Sequence, residues 1–229
     1  MMIGKIKLSN FKYLLLVSSI VVFISTIHFQ NYYISIFYFI SLFLSFISVK
    51  NGIKIIQNKN LLQNIRVEGP QTHLNKKNTP TMGGIIIIPI FLLILLLTNF
   101  PQPEIKILLF FTFLGFFIIG LIDDFLSIKN KISQGLNVKQ KLFLQISLAI
   151  MFTIFAWQKN YINSNIIIPF NYQIDSKEII LPLAILTIIA LSNSVNLTDG
   201  LDGLAAGCSS IVFCGLGIEI LLNNDPNIM

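Results

Sequence analysis

The stretch KILLFFTFLGFFIIGLIDDFL, residues 106–126, decides the fold class of this chain. After its first lysine it is an almost uninterrupted apolar run that closes with two adjacent aspartates, Asp123 and Asp124. A helix needs about 20 mainly apolar residues to cross the hydrocarbon core of a bilayer. The stretch therefore predicts a membrane-spanning helix with two carboxylates near one end.

The composition extends this prediction to the whole chain. Of its 229 residues, 54% are hydrophobic and only 11% are charged, and the mean hydropathy is +0.78. Soluble domains are typically about one quarter charged. We therefore expect an all-α fold, a polytopic membrane helix bundle that forms a single integral-membrane domain over residues 1–229. The six predicted spans are 31–49, 82–98, 106–126, 142–158, 178–195 and 203–222.

The N-terminal run 12–28 is ambiguous. It is long enough to approach a full span, but the break HFQNYY at 28–33 that follows it is short. Both a seventh span and a helix lying in the membrane interface fit this pattern.

Lysines are concentrated on one side of the predicted spans. Segments 50–81 and 127–141 are rich in them, whereas 159–177 holds only Lys159 and Lys177. Basic loops favour the cytoplasm, so the net charge of +6 is an orientation signal and no nucleic-acid partner is expected. The topology then gathers three polar clusters at the cytoplasmic face: GPQTHLNKKNTPTMGG (69–84), GLIDDFLSIKNK (120–131) and NSVNLTDGLDG (193–203).

The aspartate pair is the first candidate for chemistry. Ionisable groups at membrane depth are costly to bury, and they are functional candidates by default. Two adjacent carboxylates can neutralise a divalent ion, or one of them can act as a base. The alternative is that Asp123 and Asp124 only mark the end of the helix, with Lys129 and Lys131 offsetting their unfavourable interaction with the helix dipole.

A second candidate is the polar stripe in the last cluster. Asn193, Asn196, Asp199 and Asp202 follow one another at steps of three, which places them on one side of a helix or of a 3₁₀-like turn. Such an oxygen-rich surface suits Mg²⁺ or the hydroxyl groups of a sugar or nucleoside. The alternative is that Asp199 or Asp202 caps the helix that follows.

The third candidate is KKNTPTMGG, residues 76–84. Lys76 and Lys77, with the hydroxyls of Thr79 and Thr81 close to a helix start, suit a phosphate group. The alternative is ordinary N-terminal helix chemistry. Together the three clusters predict an anionic, Mg²⁺-dependent site at the membrane surface, where a phosphorylated substrate meets a membrane-embedded one.

These clusters, with GLNVKQKLFLQ at 135–145, resemble the successive signatures of the bacterial phospho-N-acetylmuramoyl-pentapeptide transferases, in the polyprenyl-phosphate hexosamine-1-phosphate transferase superfamily. The resemblance runs in order over residues 31–222, and TPTMGG favours the muramoyl-pentapeptide branch. It implies a multi-pass protein of the bacterial cytoplasmic (inner) membrane with its active face towards the cytoplasm. The implied reaction transfers phospho-N-acetylmuramoyl-pentapeptide from its UDP carrier to undecaprenyl phosphate, with Mg²⁺, giving lipid I and UMP.

The resemblance also assigns roles to residues. Asp123 and Asp124 match the catalytic aspartate pair, the first being the candidate base that deprotonates the lipid phosphate, and both are candidate Mg²⁺ ligands. Lys76 and Thr81 match positions that line the nucleotide-sugar site. The candidate substrate-binding residues are Lys76, Thr81, Asn193, Asn196, Asp199 and Asp202. The expected partners are UDP-N-acetylmuramoyl-pentapeptide, undecaprenyl phosphate and membrane lipids, and a homodimer is left open.

The chain departs from the family pattern at two points. Asn78 stands where the family has glycine, a mild change because asparagine tolerates left-handed backbone angles. Family members are also longer, so we expect a C-terminally truncated member that lacks a later aspartate-containing metal loop and a histidine-rich loop. Two alternatives stay open: a UDP-N-acetylglucosamine:undecaprenyl-phosphate N-acetylglucosamine-1-phosphate transferase, and a truncated, inactive membrane protein.

Overall fold

The computed structural model of the chain describes residues 8–28, 32–59, 81–98, 102–131, 135–168, 172–175, 177–199 and 203–223. Within these ranges the chain forms seven helices and one hairpin of two short strands. In chain order the elements are α1 (Leu8–His28), α2 (Tyr32–Asn58), α3 (Gly84–Leu97), α4 (Pro103–Asn130), α5 (Val138–Gln158), β1 (Asn165–Ile168), β2 (Tyr172–Asp175), α6 (Lys177–Thr198) and α7 (Leu204–Asn223).

The predicted all-α, multi-pass membrane fold is confirmed. Among the described residues, four helical segments are long and apolar enough to cross a membrane: Ser35–Asn58, Pro103–Asn130, Val138–Gln158 and Glu178–Thr198. Large apolar side chains on these helices face outwards, with Phe46 73% and Phe143 70% exposed. Such surfaces are unstable in water and suit contact with lipid. Three further apolar helical segments are shorter: Leu15–Ile27, Gly84–Leu97 and Leu204–Glu219.

The chain divides into two compact units. One consists of Met1–Leu42 and Leu191–Met229, and the other of Phe43–Ala190. The prediction of a single integral-membrane domain stays a prediction.

In the first unit, α1 packs against α7. The Cβ position of Gly217 lies 3.3 Å from a methyl group of Val21, so the two helices approach closely here and a side chain at 217 would require Val21 to shift. Hydroxyl groups join α1 to the start of α2: the Ser18 and Tyr38 oxygens are 2.6 Å apart. Hydrogen bonds between side chains of adjacent helices contribute to helix association where water is absent.

In the second unit, α4 packs against both α3 and α5. The rings of Phe91 and Phe113 join α3 to α4 with centroids 4.6 Å apart. A Cβ atom at Gly115 would lie 2.7 Å from Leu148, so this glycine allows α5 to approach α4 closely. The buried residues of α5 follow one another at helical spacing: Gln145, Ala149, Thr153 and Ala156.

The helix ends explain where the chain turns. Pro103 occupies the first turn of α4 and Glu104 follows it, both favourable at a helix N-terminus. At the start of α5, the backbone N–H of Asn137 donates to Oε1 of Gln140 at 3.2 Å, a bond that satisfies a donor at the helix start. Lys106 donates to the carbonyl oxygens of Leu96 and Thr98, and so satisfies acceptors at the end of α3.

The hairpin was not predicted from the sequence, in which 159–177 is only the segment between two predicted spans. β1 and β2 pair antiparallel, with Asn165 opposite Asp175 and Ile168 opposite Tyr172. It lies in the segment 159–177, between α5 and α6.

Candidate functional site

Asp123 is held by two other segments of its unit. Its Oδ2 accepts a hydrogen bond from Nζ of Lys141 on α5 at 2.7 Å. Its Oδ1 accepts a bond from the backbone N–H of Leu136 at 2.8 Å, in the connection that precedes α5. The Lys141 and Asp123 side chains are only 23% and 22% exposed. Charge-assisted bonds of this length are among the stronger ones in proteins, so this carboxylate has a defined position.

The aspartate pair lies near the end of α4, as predicted, but not at its last residues. α4 continues for two further turns to Asn130 and ends with Lys131 in a left-handed conformation, at φ 55°. Lys129 lies in the last turn of α4 and Lys131 at its C-cap, where they interact favourably with the helix dipole. The cation that pairs directly with Asp123 is Lys141 of α5.

Asp124 is half-buried beside Asp123. Consecutive residues on a helix do not face each other, so the two carboxylates point in different directions around α4. Among the described residues no group of three or more His, Cys, Asp or Glu side chains could hold a metal ion. Mg²⁺ is usually held by one or two carboxylates together with substrate phosphates and water, so Asp123 and Asp124 stay the predicted Mg²⁺ ligands.

Thr81 precedes α3 at the same end of the unit as Asp123. The Cβ position of Gly84 lies 3.9 Å from the ring of Phe117, and Phe117 is fewer than two turns before Asp123 on the antiparallel helix α4. Thr81 is half-buried and is followed by Met82, a buried residue with φ 65°. A positive φ is rare for a residue with a long side chain. Lys76, the other expected residue of this cluster, lies outside the described residues.

The polar stripe lies at the end of α6, in the other compact unit. Asn193 is half-buried, and Asn196 and Asp199 are exposed. The backbone N–H of Asp199 still donates to the carbonyl of Val195 at 3.2 Å, so the helical pattern of bonds reaches this residue. Each step of three on an α-helix shifts the position around the axis by about 60°, so Asn193, Asn196 and Asp199 lie within about 120° of one another, on one side of the end of α6. Asp202 lies outside the described residues.

Two groups that hold Asp123 were not foreseen as its partners. In the sequence, Lys141 is one of several lysines of the basic segment 127–141, and the backbone N–H of Leu136 has no side-chain signal. The short connection between α4 and α5 was an available signal, because it makes the two helices antiparallel neighbours. Asp123 near the end of α4 and Lys141 in the first turn of α5 then lie at similar positions along the axes of the two antiparallel helices.

A second ion pair joins the same two helices at their other ends. Nζ of Lys159 lies 2.8 Å from Oε1 of Glu104, and the Tyr161 hydroxyl lies 3.5 Å from Oε2 of the same carboxylate. The hydrogen bond with Glu104 raises the pKa of Lys159 above its usual range. Both side chains are well exposed, at 41% for Lys159 and 49% for Glu104.

Comparison with known proteins shows the family to which the chain belongs. The family described as Glycosyl transferase family 4 matches residues 106–229, which is more than half of the chain. This chain belongs to glycosyl transferase family 4. The matched region of this family 4 protein contains the Asp123–Lys141 pair and the stripe on α6. A shorter pattern, the phospho-N-acetylmuramoyl-pentapeptide-transferase signature 1, matches residues 76–88.

Curated relatives of this family 4 protein carry the name phospho-N-acetylmuramoyl-pentapeptide-transferase. One from Prochlorococcus marinus (strain MIT 9312) is 48% identical over 229 residues, which is 100% of this chain and 64% of the relative. One from Prochlorococcus marinus subsp. pastoris (strain CCMP1986 / NIES-2087 / MED4) is 48% identical over 230 residues, with the same coverage. One from Synechococcus sp. (strain CC9311) is 37% identical over 182 residues, 77% of this chain and 49% of the relative. The chain thus spans about 64% of the length of the first two relatives.

Proposed function

We propose that this family 4 protein transfers phospho-N-acetylmuramoyl-pentapeptide from its UDP-linked precursor to undecaprenyl phosphate, giving lipid I and UMP. The observation that carries the proposal is the carboxylate of Asp123, fixed by Lys141 and by the N–H of Leu136 inside the region that the family matches. The signature at residues 76–88 and the names of the relatives support the muramoyl-pentapeptide substrate.

The reaction exchanges one phosphoanhydride bond for another. An oxygen of the lipid phosphate attacks the sugar-bearing phosphorus of the nucleotide precursor. A new P–O bond forms, and the bond from that phosphorus to the oxygen of UMP breaks. Enzymes catalyse such transfers mainly by positioning the groups and by stabilising negative charge.

Asp123 is proposed as the acceptor of the proton from the lipid phosphate. A carboxylate offers about four lone-pair positions, so the two bonds seen here leave Asp123 with further capacity to accept. Lys141 adds a positive charge next to this carboxylate, where phosphate groups would accumulate negative charge. Lys76, Thr81, Asn193, Asn196, Asp199 and Asp202 are proposed to bind the nucleotide precursor.

A requirement for Mg²⁺ is kept as part of the proposal, on the family resemblance and on the charge of the two phosphorylated substrates. Removal of divalent ions with a chelator should abolish UMP release, and Mg²⁺ should restore it. Release that survives exhaustive chelation would remove Mg²⁺ from the proposal.

The proposed location is the bacterial cytoplasmic membrane, with the site facing the cytoplasm. The support is the concentration of lysine in 50–81 and 127–141, since basic loops are retained on the cytoplasmic side. Cysteines introduced singly at Lys131 and Lys159, in a variant lacking Cys208 and Cys214, should differ in labelling by an impermeant reagent. Labelling of the cysteine at 131 from outside intact cells would contradict this orientation.

Association into a homodimer stays a prediction.

The central test is release of UMP by the purified chain in lipid nanodiscs. UDP-N-acetylmuramoyl-pentapeptide, undecaprenyl phosphate and Mg²⁺ should yield UMP, and Asp123→Asn should abolish the release. Lys139→Gln, an exposed change on α5, is the matched control and should retain activity. If this chain releases no UMP while a longer relative does under the same conditions, activity of this chain is refuted and an inactive membrane protein is favoured.

A further inference from the structure

Gly135, shortly before the start of α5, lies unusually close to the backbone of Asp123. A Cβ atom built on Gly135 would lie 2.6 Å from the carbonyl carbon of Asp123 and 2.8 Å from its Oδ1, and it would also overlap the carbonyl oxygen. Real Cβ atoms essentially never approach other heavy atoms this closely. The obstructing atoms include helix backbone, which cannot rotate away as the end of a flexible side chain does.

The close approach has a specific result at the next residue. Because Gly135 has no side chain, the chain reaches Asp123 closely enough for the N–H of Leu136 to donate to Oδ1 at 2.8 Å. Lys141 holds the other carboxylate oxygen, Oδ2, at 2.7 Å. The two oxygens are therefore held from two sides, one by a backbone amide and one by an ammonium group.

We propose that Gly135 and Leu136 form a positioning element that fixes the orientation of the Asp123 carboxylate. This inference rests on the proposed function, in which Asp123 receives a proton and must face the lipid phosphate. A backbone N–H is a rigid donor and remains in place when side chains rearrange. The glycine is required for close approach to another backbone, and no left-handed backbone angle is involved at this position.

A nearby glycine supplies the matched control. Gly120 lies about one turn before Asp123 on α4, and a Cβ atom there would meet nothing within 4 Å. Gly120→Ala and Gly135→Ala therefore make the same chemical change near the same carboxylate. Only the second change displaces the connection that holds it.

The direct measurement is hydrogen exchange at the amide of Leu136, which does not depend on activity. Asp123→Ala removes the acceptor and should speed exchange by about tenfold or more, since the amide loses its hydrogen bond. Asp123→Asn retains an oxygen that can accept the bond and should give a smaller change. Gly135→Ala should behave like Asp123→Ala, and Gly120→Ala like the unmodified chain.

The kinetic measurement separates positioning from folding. In Gly135→Ala we expect kcat for UMP release to fall by about tenfold or more, with KM changed by less than about twofold, because misplaced catalytic groups slow the chemical step. Gly120→Ala should retain kcat within about twofold. A purely structural role would lower the amount of folded protein but not the kcat of the folded fraction.

The positioning proposal and the proposed function would be contradicted by different measurements. If the unmodified chain releases no UMP, the proposed function fails, while the exchange measurements still decide whether the loop holds Asp123. Unchanged exchange at Leu136 in both Gly135→Ala and Asp123→Ala would overturn the positioning element, as would an equal loss of kcat in Gly120→Ala. If Gly135→Ala does not fold, the comparison of Asp123→Ala with Asp123→Asn decides alone, and equal exchange in the two would reject the proposal.

Discussion

Lys141 and Asp123 form an ion pair of 2.7 Å that ties the first turn of α5 to α4. With both side chains about one quarter exposed, this ion pair is intermediate between an exposed pair and a fully buried one. Exposed pairs contribute little because water and salt screen them. Fully buried pairs are costly to break because one charge is left without a partner.

Replacing Lys141 by methionine should therefore destabilise the chain. The change keeps a long apolar side chain but leaves Asp123 without its cation, and we expect a loss of about 1–3 kcal/mol in the free energy of unfolding. Lys139→Met, at an exposed position on the same helix, should change it by less than about 0.5 kcal/mol. Unfolding in mixed micelles, followed by circular dichroism, measures both. Equal losses for the two variants would show that the ion pair has no special role.

Thr153 offers a stabilising change. Its side chain is fully buried, and its Oγ1 has no hydrogen-bond partner within the described part of the chain. Thr153→Val replaces the hydroxyl by a methyl group of similar size, so we expect stability to rise by about 1 kcal/mol. The control is Thr112→Val on α4, whose hydroxyl donates to the carbonyl of Leu108 at 2.7 Å. That variant should gain nothing, and a comparable gain in both would argue against the prediction.

At position 82 the glycine variant should be more stable than the alanine variant, which reverses the order expected within a regular helix. It is buried, at 7% exposure, and has φ 65°, a region that costs about 1 kcal/mol or more for a residue with a Cβ atom. Met82→Ala and Met82→Gly both lose the buried side chain, but only glycine relieves the backbone. We expect Met82→Gly to be more stable than Met82→Ala by about 0.5–1 kcal/mol.

Met151 is the control for that comparison, because it is 68% exposed within the regular helix α5. There Met151→Gly should be less stable than Met151→Ala by about 1 kcal/mol. Thermal unfolding of the four variants in one detergent gives both orders. Alanine proving the more stable choice at both positions would contradict the strain at Met82.

The Lys159–Glu104 pair should show little pH dependence near neutrality. Because the hydrogen bond with Glu104 raises the pKa of Lys159 above 10.5, the contribution of this lysine is fully present below that value. It is lost only as the pH rises through the higher folded-state pKa. The stability difference between the unmodified chain and Lys159→Met should thus be equal at about pH 7 and about pH 9, and salt should reduce it. A difference that falls sharply over this range would refute the assignment.

The helices were predictable because membrane spans depend on long apolar runs, which are local properties of the sequence. The stretch 106–126 lies wholly within α4, and the run 142–158 lies within α5. The end of α4 was less predictable. The aspartates resemble an interfacial terminus, but the charge of Asp123 is accommodated within the helix by a contact with Lys141 of α5.

The site was predictable in its residue types and only in part in its pairings. Asp123 stood out because a carboxylate follows an apolar run, whereas the partners of Asp123 depend on how two helices dock. A lysine in a basic loop has the same appearance whether it faces lipid head groups or a carboxylate. The hydrogen bond from the backbone amide of Leu136 and the close approach at Gly135 cannot be recognised from the residue types. The hairpin was missed because its strands are only four residues long.

The two ion pairs between α4 and α5 lie at opposite ends of these helices, at 2.7 Å and 2.8 Å. A slide of one helix along the other by a single turn, about 5.4 Å, would separate both pairs at once. Both pairs therefore favour the same axial register, the partly buried Asp123–Lys141 pair more strongly than the exposed Lys159–Glu104 pair. A motion that opens or closes the Asp123 site is thus expected to keep this register and to involve other segments of the chain.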